Sequence, residues 1–159
     1  MPIYRHKGLK ANRNLMEPLE AACPVSLAFE YITSASEPLA TGTLIEIGGI
    51  PPYCVVTDAF FVMEDLDAGA AASIEIGVLS GNYGKVDDTR TVGTQFATAN
   101  TTAPRSGGLI TATAAALLLE PAETERGIGI KFVAGPATQV NGAKIRAFIT
   151  CAQVGTSIT

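Results

Sequence analysis

The residues of this chain best suited to chemistry are few and scattered. There is one histidine, His6, there are three cysteines, Cys23, Cys54 and Cys151, and there is an acidic turn, Asp65-Leu-Asp67-Ala-Gly69. Hydrolysis or group transfer needs an imidazole, thiol or carboxylate held beside a second group that moves its proton. His6 lies in a polar stretch without periodicity, so no scaffold presents it to a Ser, a Cys or a water. The cysteines are widely spaced and odd in number and lack the Cys-x-x-Cys pattern, which argues against a disulfide framework and a structural zinc site. They read as buried free thiols. The acidic turn echoes the opening of a calcium loop, where alternate acids supply oxygens and a glycine makes the bend. No glutamate closes that loop at the required position, and the segment reads as a polar hairpin turn.

Asp58 breaks a pattern, because it shares strand parity with Val56 and Phe60. A buried carboxylate must be paired or hydrogen-bonded, and backbone amides or a basic residue such as Arg126 or Arg146 are the expected partners. A catalytic role would require a second acid and a pocket. Gly127-Ile-Gly129 and Gly107-Gly108 lack the spacing and the following helix of a phosphate cradle. The expectation is therefore a protein that is not an enzyme, with no cofactor, no metal and no small-molecule substrate.

The elements that would carry these residues are strands. Val25, Leu27, Phe29 and Tyr31 alternate with polar or small residues, Thr41 to Gly48 forms a second strand ended by Gly48-Gly49, and Tyr53 to Met63 is apolar on both parities, as an internal strand is. Ala72, Ile74, Ile76 and Val78 resume alternation after the acidic turn, predicting a hairpin. The stretch from Ser80 to Gly108 is a long excursion of the kind that carries a function or a small element of its own. A helical turn is expected over 94–100, with Phe96 pinning the excursion to the core. Leu109 to Leu119 reads as a returning strand. Gly127 to Cys151 reads as two strands folded onto each other, reversed through Gly135-Pro136 and Asn141-Gly142. Together these define an all-β fold, an antiparallel β-sandwich of jelly-roll-like form in a single domain over 23–159.

The first 22 residues stand apart. The chain has 11 basic and 15 acidic residues, and four of the basic ones, Arg5, Lys7, Lys10 and Arg13, precede the first carboxylate, Glu17. This is an extended basic arm, with a short helix expected over Met16 to Ala22, which Pro24 ends. Too few apolar residues occur for it to fold alone. It is either a solvated tail or a strap for an acidic protein surface; nucleic acid is not the expected partner. Ile3, Tyr4, Leu9 and Leu15 are its candidate apolar anchors beside the four cations. Charged residues make up 16% of the chain, below the usual quarter, so much of the surface is small and weakly polar and suits broad protein contact. The longest apolar candidate, Leu109 to Leu119, is too short to span a membrane. Tyr4-Arg5-His6-Lys7 is not followed by the apolar run of a secretory leader, so synthesis and assembly in the cytoplasm are expected.

Val56-Thr-Asp-Ala-Phe60, Asp65-Leu-Asp-Ala-Gly69, Ile74-Glu-Ile-Gly-Val-Leu79, Gly127-Ile-Gly-Ile-Lys131 and Gly142-Ala-Lys-Ile-Arg146 resemble, in rhythm and short motif, the small capsid decoration or cement proteins of tailed bacteriophages. The resemblance covers Tyr53 to Cys151. It implies a structural virion protein that binds the surface of an icosahedral head beside the major capsid protein, as a trimer, with no active site to carry across. Two other readings remain: a head-to-tail connector or tail component, and a carbohydrate-binding module in which Tyr53 and Tyr83 replace the missing Trp. The residues expected at the capsid contact are Ile3, Tyr4, Arg5, Lys7, Leu9, Lys10, Arg13 and Leu15.

Overall fold

The computed structural model describes residues 3–5, as backbone, and residues 24–154 other than Asp88. Two sheets face each other. The five-stranded sheet contains β1 (Ile3–Arg5), β3 (Leu44–Ile50), β8 (Arg126–Ala134), β5 (Ser73–Val78) and β6 (Ala97–Asn100), in that order. The four-stranded sheet contains β2 (Pro24–Ile32), β9 (Lys144–Gln153), β4 (Cys54–Met63) and β7 (Gly108–Thr111). Short helices α1 (Thr102–Ser106) and α2 (Ala114–Leu117) flank β7. All strand pairs are antiparallel except β1 with β3. The architecture is the expected all-β, jelly-roll-like sandwich.

The period-two apolar residues meet between the sheets. Ile45, Ile74, Ile76, Ile128, Ile130 and Phe132 come from one sheet, and Tyr31, Ala59, Phe61, Met63, Ile145, Ala147 and Ile149 from the other, all buried. Phe61 meets Phe96 edge to face, with ring centroids 5.4 Å apart, so the excursion is pinned to the core as its sequence indicated. Burying each of these rings contributes about 1.5–3 kcal/mol. Gly48 faces inward as well, and the ring of Phe29 occupies the space where its side chain would be.

Several local expectations give way to the tertiary pairing. β8 and β9 do not pair with each other: β8 lies between β3 and β5, and β9 between β2 and β4. The Gly135-Pro136 and Asn141-Gly142 signals do turn the chain, but the turn crosses from one sheet to the other, so both apolar faces point into the same core. The acidic turn likewise passes β5 to the opposite sheet from β4, so those strands form no hairpin. Residues 97–100 are strand β6, and the helical turn falls later, at α1. Leu109 to Leu119 splits into β7 and α2, because the Thr113 side chain accepts from the Ala116 N–H and caps an alanine-rich turn. Gly48 and Gly49 lie inside β3 rather than ending it. Residues 16–22, where a short helix is expected, lie outside the described residues.

Candidate functional site

The acidic turn is a clamp. Asp67 is buried, and its two carboxylate oxygens accept from the backbone N–H groups of Gly69, Ala71, Ala72 and Thr138. Burial alone would raise its pKa, but these four donors outweigh that and hold the carboxyl well below the usual carboxylate range. Arg105 closes the same corner, donating from Nε to the Ala72 carbonyl at 2.7 Å and from Nη2 to that of Ala71 at 3.1 Å. Asp67 thus ties the crossover from β4 to the loop before β9, and both its oxygens are committed to backbone donors.

Asp58 is not buried. A β-bulge between Val56 and Asp58 shifts the register of β4 against β9, so parity reverses and Ala59, Phe61 and Met63 point inward. Asp58, Phe60 and Val62 therefore face solvent. Its two expected partners are elsewhere: Arg146 Nε donates to Glu30 at 2.8 Å, and Arg126 lies beside the two buried thiols. Burial lowers the pKa of Arg126. Burial pushes the Cys151 thiol up to about 12, with Cys54 adding to the rise and Arg126 opposing it. Cys54 and Cys151 are buried thiols outside any disulfide, as expected; Cys23 and His6 lie outside the described residues.

The outer faces of the two sheets are treated oppositely. On the five-stranded sheet, β8 presents Gly127 and Gly129 outward and β5 presents Gly77, leaving a trough into which the first half of the excursion folds. Leu79 and Val92 lie over Gly129, and the Gly93 carbonyl lies over Gly77. Beneath them is a fully buried ion pair, Arg90 Nη2 to Glu46 Oε1 at 3.0 Å. The Gly84 N–H also donates to Glu46 Oε1, while Arg90 donates from Nε to the Ser80 carbonyl and from Nη1 to that of Lys85. The alternation in β8 that reads as a wet face is a covered one. Glycine at every second position was the available signal, because it marks close approach of another segment.

On the four-stranded sheet, no segment of comparable cover lies over the outer face among the described residues. Its middle row runs Ala28, Phe148, Phe60, Thr111 across β2, β9, β4 and β7, and the two phenylalanine rings stack with centroids 4.7 Å apart. The next row runs Glu30, Arg146, Val62, Leu109. Phe60 is 36% exposed, Val62 41% and Leu109 61%. Stacked aromatics beside aliphatic residues and an arginine make the composition of a protein contact.

Of the residues expected at a capsid contact, Ile3, Tyr4 and Arg5 form β1, whose backbone runs parallel to Leu44–Glu46 at the edge of the five-stranded sheet. Lys7, Leu9, Lys10, Arg13 and Leu15 lie outside the described residues. Tyr53 is exposed at the start of β4, whereas Tyr83 lines a shallow depression with Asn82, Thr124 and Glu125.

The polar clusters of this β-sandwich tie its loops together, and its four-stranded sheet leaves Phe60, Val62 and Leu109 exposed among charged residues. Its length and fold match a chain in the capsid of Ralstonia phage GP4, with 31% sequence identity and a TM-score of 0.86 over 98% of this chain and 100% of that one. The chain belongs to this family of phage capsid proteins and is a structural component of the virion. A chain in the capsid asymmetric unit of cyanophage Pam1 shares the fold at 18% identity, with a TM-score of 0.58 over 89% of this chain and 94% of that one. No protein-family model and no curated protein matches the sequence.

Proposed function

We propose that this chain is a capsid decoration, or cement, subunit, which binds the surface of an assembled phage head and links neighbouring subunits of the major capsid protein as a trimer. The observation that carries this reading is the completeness of the body. The sandwich has its own core, and its own excursion covers one outer face, so it needs no lattice neighbour to fold. Such a body is suited to being added to a shell. The basic arm supplies the attachment. Ordering each of its residues costs roughly 1–2 kcal/mol of backbone entropy, while exposed ion pairs return about 0–1 kcal/mol each. Arg5, Lys7, Lys10 and Arg13 therefore steer the approach, and Leu9 and Leu15 anchor it beyond Ile3–Arg5, whose backbone is already ordered as β1 on the chain's own sheet.

The test is a titration of phage heads lacking this protein with the purified chain, with and without residues 2–14, followed by mass spectrometry of the particles. The expected result is a copy number approaching that of the capsid subunit, with weaker binding after arm deletion. A copy number of a few per particle would make the chain a connector or tail component. Unchanged affinity without the arm would move the contact to the sandwich.

A further inference from the structure

We infer that β7 is a docking edge, to which an extended segment of the major capsid protein adds as a further strand of the four-stranded sheet; the choice of partner rests on the decoration reading. β7 is the last strand of that sheet and pairs only with β4. In this ladder the Ala112 N–H donates to the Ala59 carbonyl, and the register sets Phe60 opposite Thr111 and Val62 opposite Leu109. Antiparallel ladders alternate bonded and unbonded pairs. Ala112, Ile110 and Gly108 therefore bond to β4, while Leu109 and Thr111 turn their N–H and C=O groups away from the sheet. No hydrogen bond from a described residue reaches those groups. Both side chains are exposed.

Other edges are protected against strand addition, and this one is not. β2 opens with Pro24, which has no N–H, and carries Glu30. β6 pairs with β5 through a register shift and bends at Ala99, where φ is 43°. The edge of β3 carries the chain's own β1. Proline, charge and bulges are the ordinary means of blunting an edge. Gly108-Leu-Ile-Thr111 has none of them, and only its brevity limits pairing. Such an edge is read by main-chain hydrogen bonds, and side chains at alternate positions set which sequence fits. Leu109 extends the row from Val62, so the incoming strand places an apolar residue beside it. Charge does not choose the partner: Glu30, Asp58 and Glu64 stand with Lys144 and Arg146 on the outer face, and Arg105 is turned to the Ala71 and Ala72 carbonyls. Topology does. Among the described residues a second copy offers only its own β7 as an unblunted strand, and that pairing is twofold and closes a dimer, not the trimer proposed above. The major capsid protein is the neighbour that every head-bound subunit meets.

The experiment is hydrogen exchange of the full chain, free and within intact phage particles, with a photoreactive amino acid in place of Thr111 to capture the neighbour there. In the free protein the Leu109 and Thr111 amides should exchange quickly while that of Ile110 is protected. In particles the protection of both should rise at least tenfold, and the captured neighbour should be the major capsid protein. Leu109→Pro and Thr111→Pro each delete one outward N–H and leave the bonds to β4 in place. Both should keep the fold and bind heads lacking this protein at least tenfold more weakly. Leu109→Lys, which blunts the edge by charge, should weaken binding likewise and reports even if proline disturbs the strand. Unchanged exchange at Leu109 and Thr111 in particles, capture of a second copy, or full affinity in Leu109→Lys would overturn the inference. Capture of the capsid protein by a chain that does not bind preformed heads would uphold the edge and remove the decoration reading. Head binding at full copy number with β7 unprotected would do the reverse.

Discussion

Gly127 lies directly against the Glu46 carboxylate: a Cβ at this position would come within 2.4 Å of Oε1. The glycine makes room for a charge that is itself buried, and the charge holds the excursion on the sheet. Gly127→Ala should therefore cost more than an ordinary strand substitution, where alanine is favoured over glycine by roughly 0.5–1 kcal/mol. We expect a net loss of about 1–3 kcal/mol, the range for overpacking a filled site. Urea denaturation would measure it, and a midpoint equal to or above that of wild type would show that the ion pair yields freely.

The ion pair itself gives a second expectation. Arg90→Met leaves the buried Glu46 carboxylate without its guanidinium, and breaking a buried pair in this way costs about 3–5 kcal/mol. Replacing both partners by apolar residues of similar volume should recover much of that loss. Hydrogen exchange should show the segment from Ser80 to Gln95 losing protection in the single variant before the core strands do. Equal destabilisation in the single and double variants would mean that the pair supplies attraction rather than merely avoiding a stranded charge.

The excursion also shows where the sequence was legible. Phe96 was readable as its anchor, since it is a large apolar residue in a polar stretch. That the excursion covers a sheet was not read, because Gly127, Gly129 and Lys131 carry the same alternation as a solvated face. The strands β2, β4, β5, β8 and β9 were legible because period-two burial is local. Their partners were not: Gly135-Pro136 and Asn141-Gly142 encode a reversal but not which sheet receives the next strand. Asp58 was misplaced for a related reason, since one extra residue at Thr57 inverts every later parity on β4 and cannot be seen without the register of β9. The open face became legible only once that inversion put Phe60 and Val62 on the outside.

Asp67 gives a prediction about acid. Its pKa is held down in the folded protein by four backbone donors, against an ordinary value of 3.8 when the chain is unfolded. The unfolded state then takes up the proton first as pH falls, so stability is fully present above that ordinary value and declines below it. Asp67→Asn keeps the size of the side chain but exchanges one acceptor oxygen for a donor NH2 that faces backbone N–H groups. The variant should be less stable at neutral pH and should show a flatter stability profile between about pH 5 and pH 2. Thermal unfolding across that range would check it; parallel profiles for variant and wild type would rule out Asp67 as the source of the acid limb.

At the alkaline end, the buried thiols act in the opposite sense. The Cys151 thiol is pushed up to about 12 from an ordinary 9.0, first by burial and then by the neighbouring Cys54, with Arg126 only partly opposing. In the unfolded chain it ionises near its ordinary value, whereas in the folded protein it stays protonated. The stabilisation is thus complete below pH 9 and is lost as pH climbs toward 12. Cys151→Ala should remove part of this alkaline decline while costing core packing at every pH. A thiol reagent should label neither Cys54 nor Cys151 in the native protein at pH 8, since both are fully buried and reactivity requires an accessible thiolate. Labelling of both should appear at the rate of unfolding when denaturant is added. Rapid native labelling of Cys151 would mean that the sheet opens at the β4–β9 end, or that Arg126 holds a thiolate there after all.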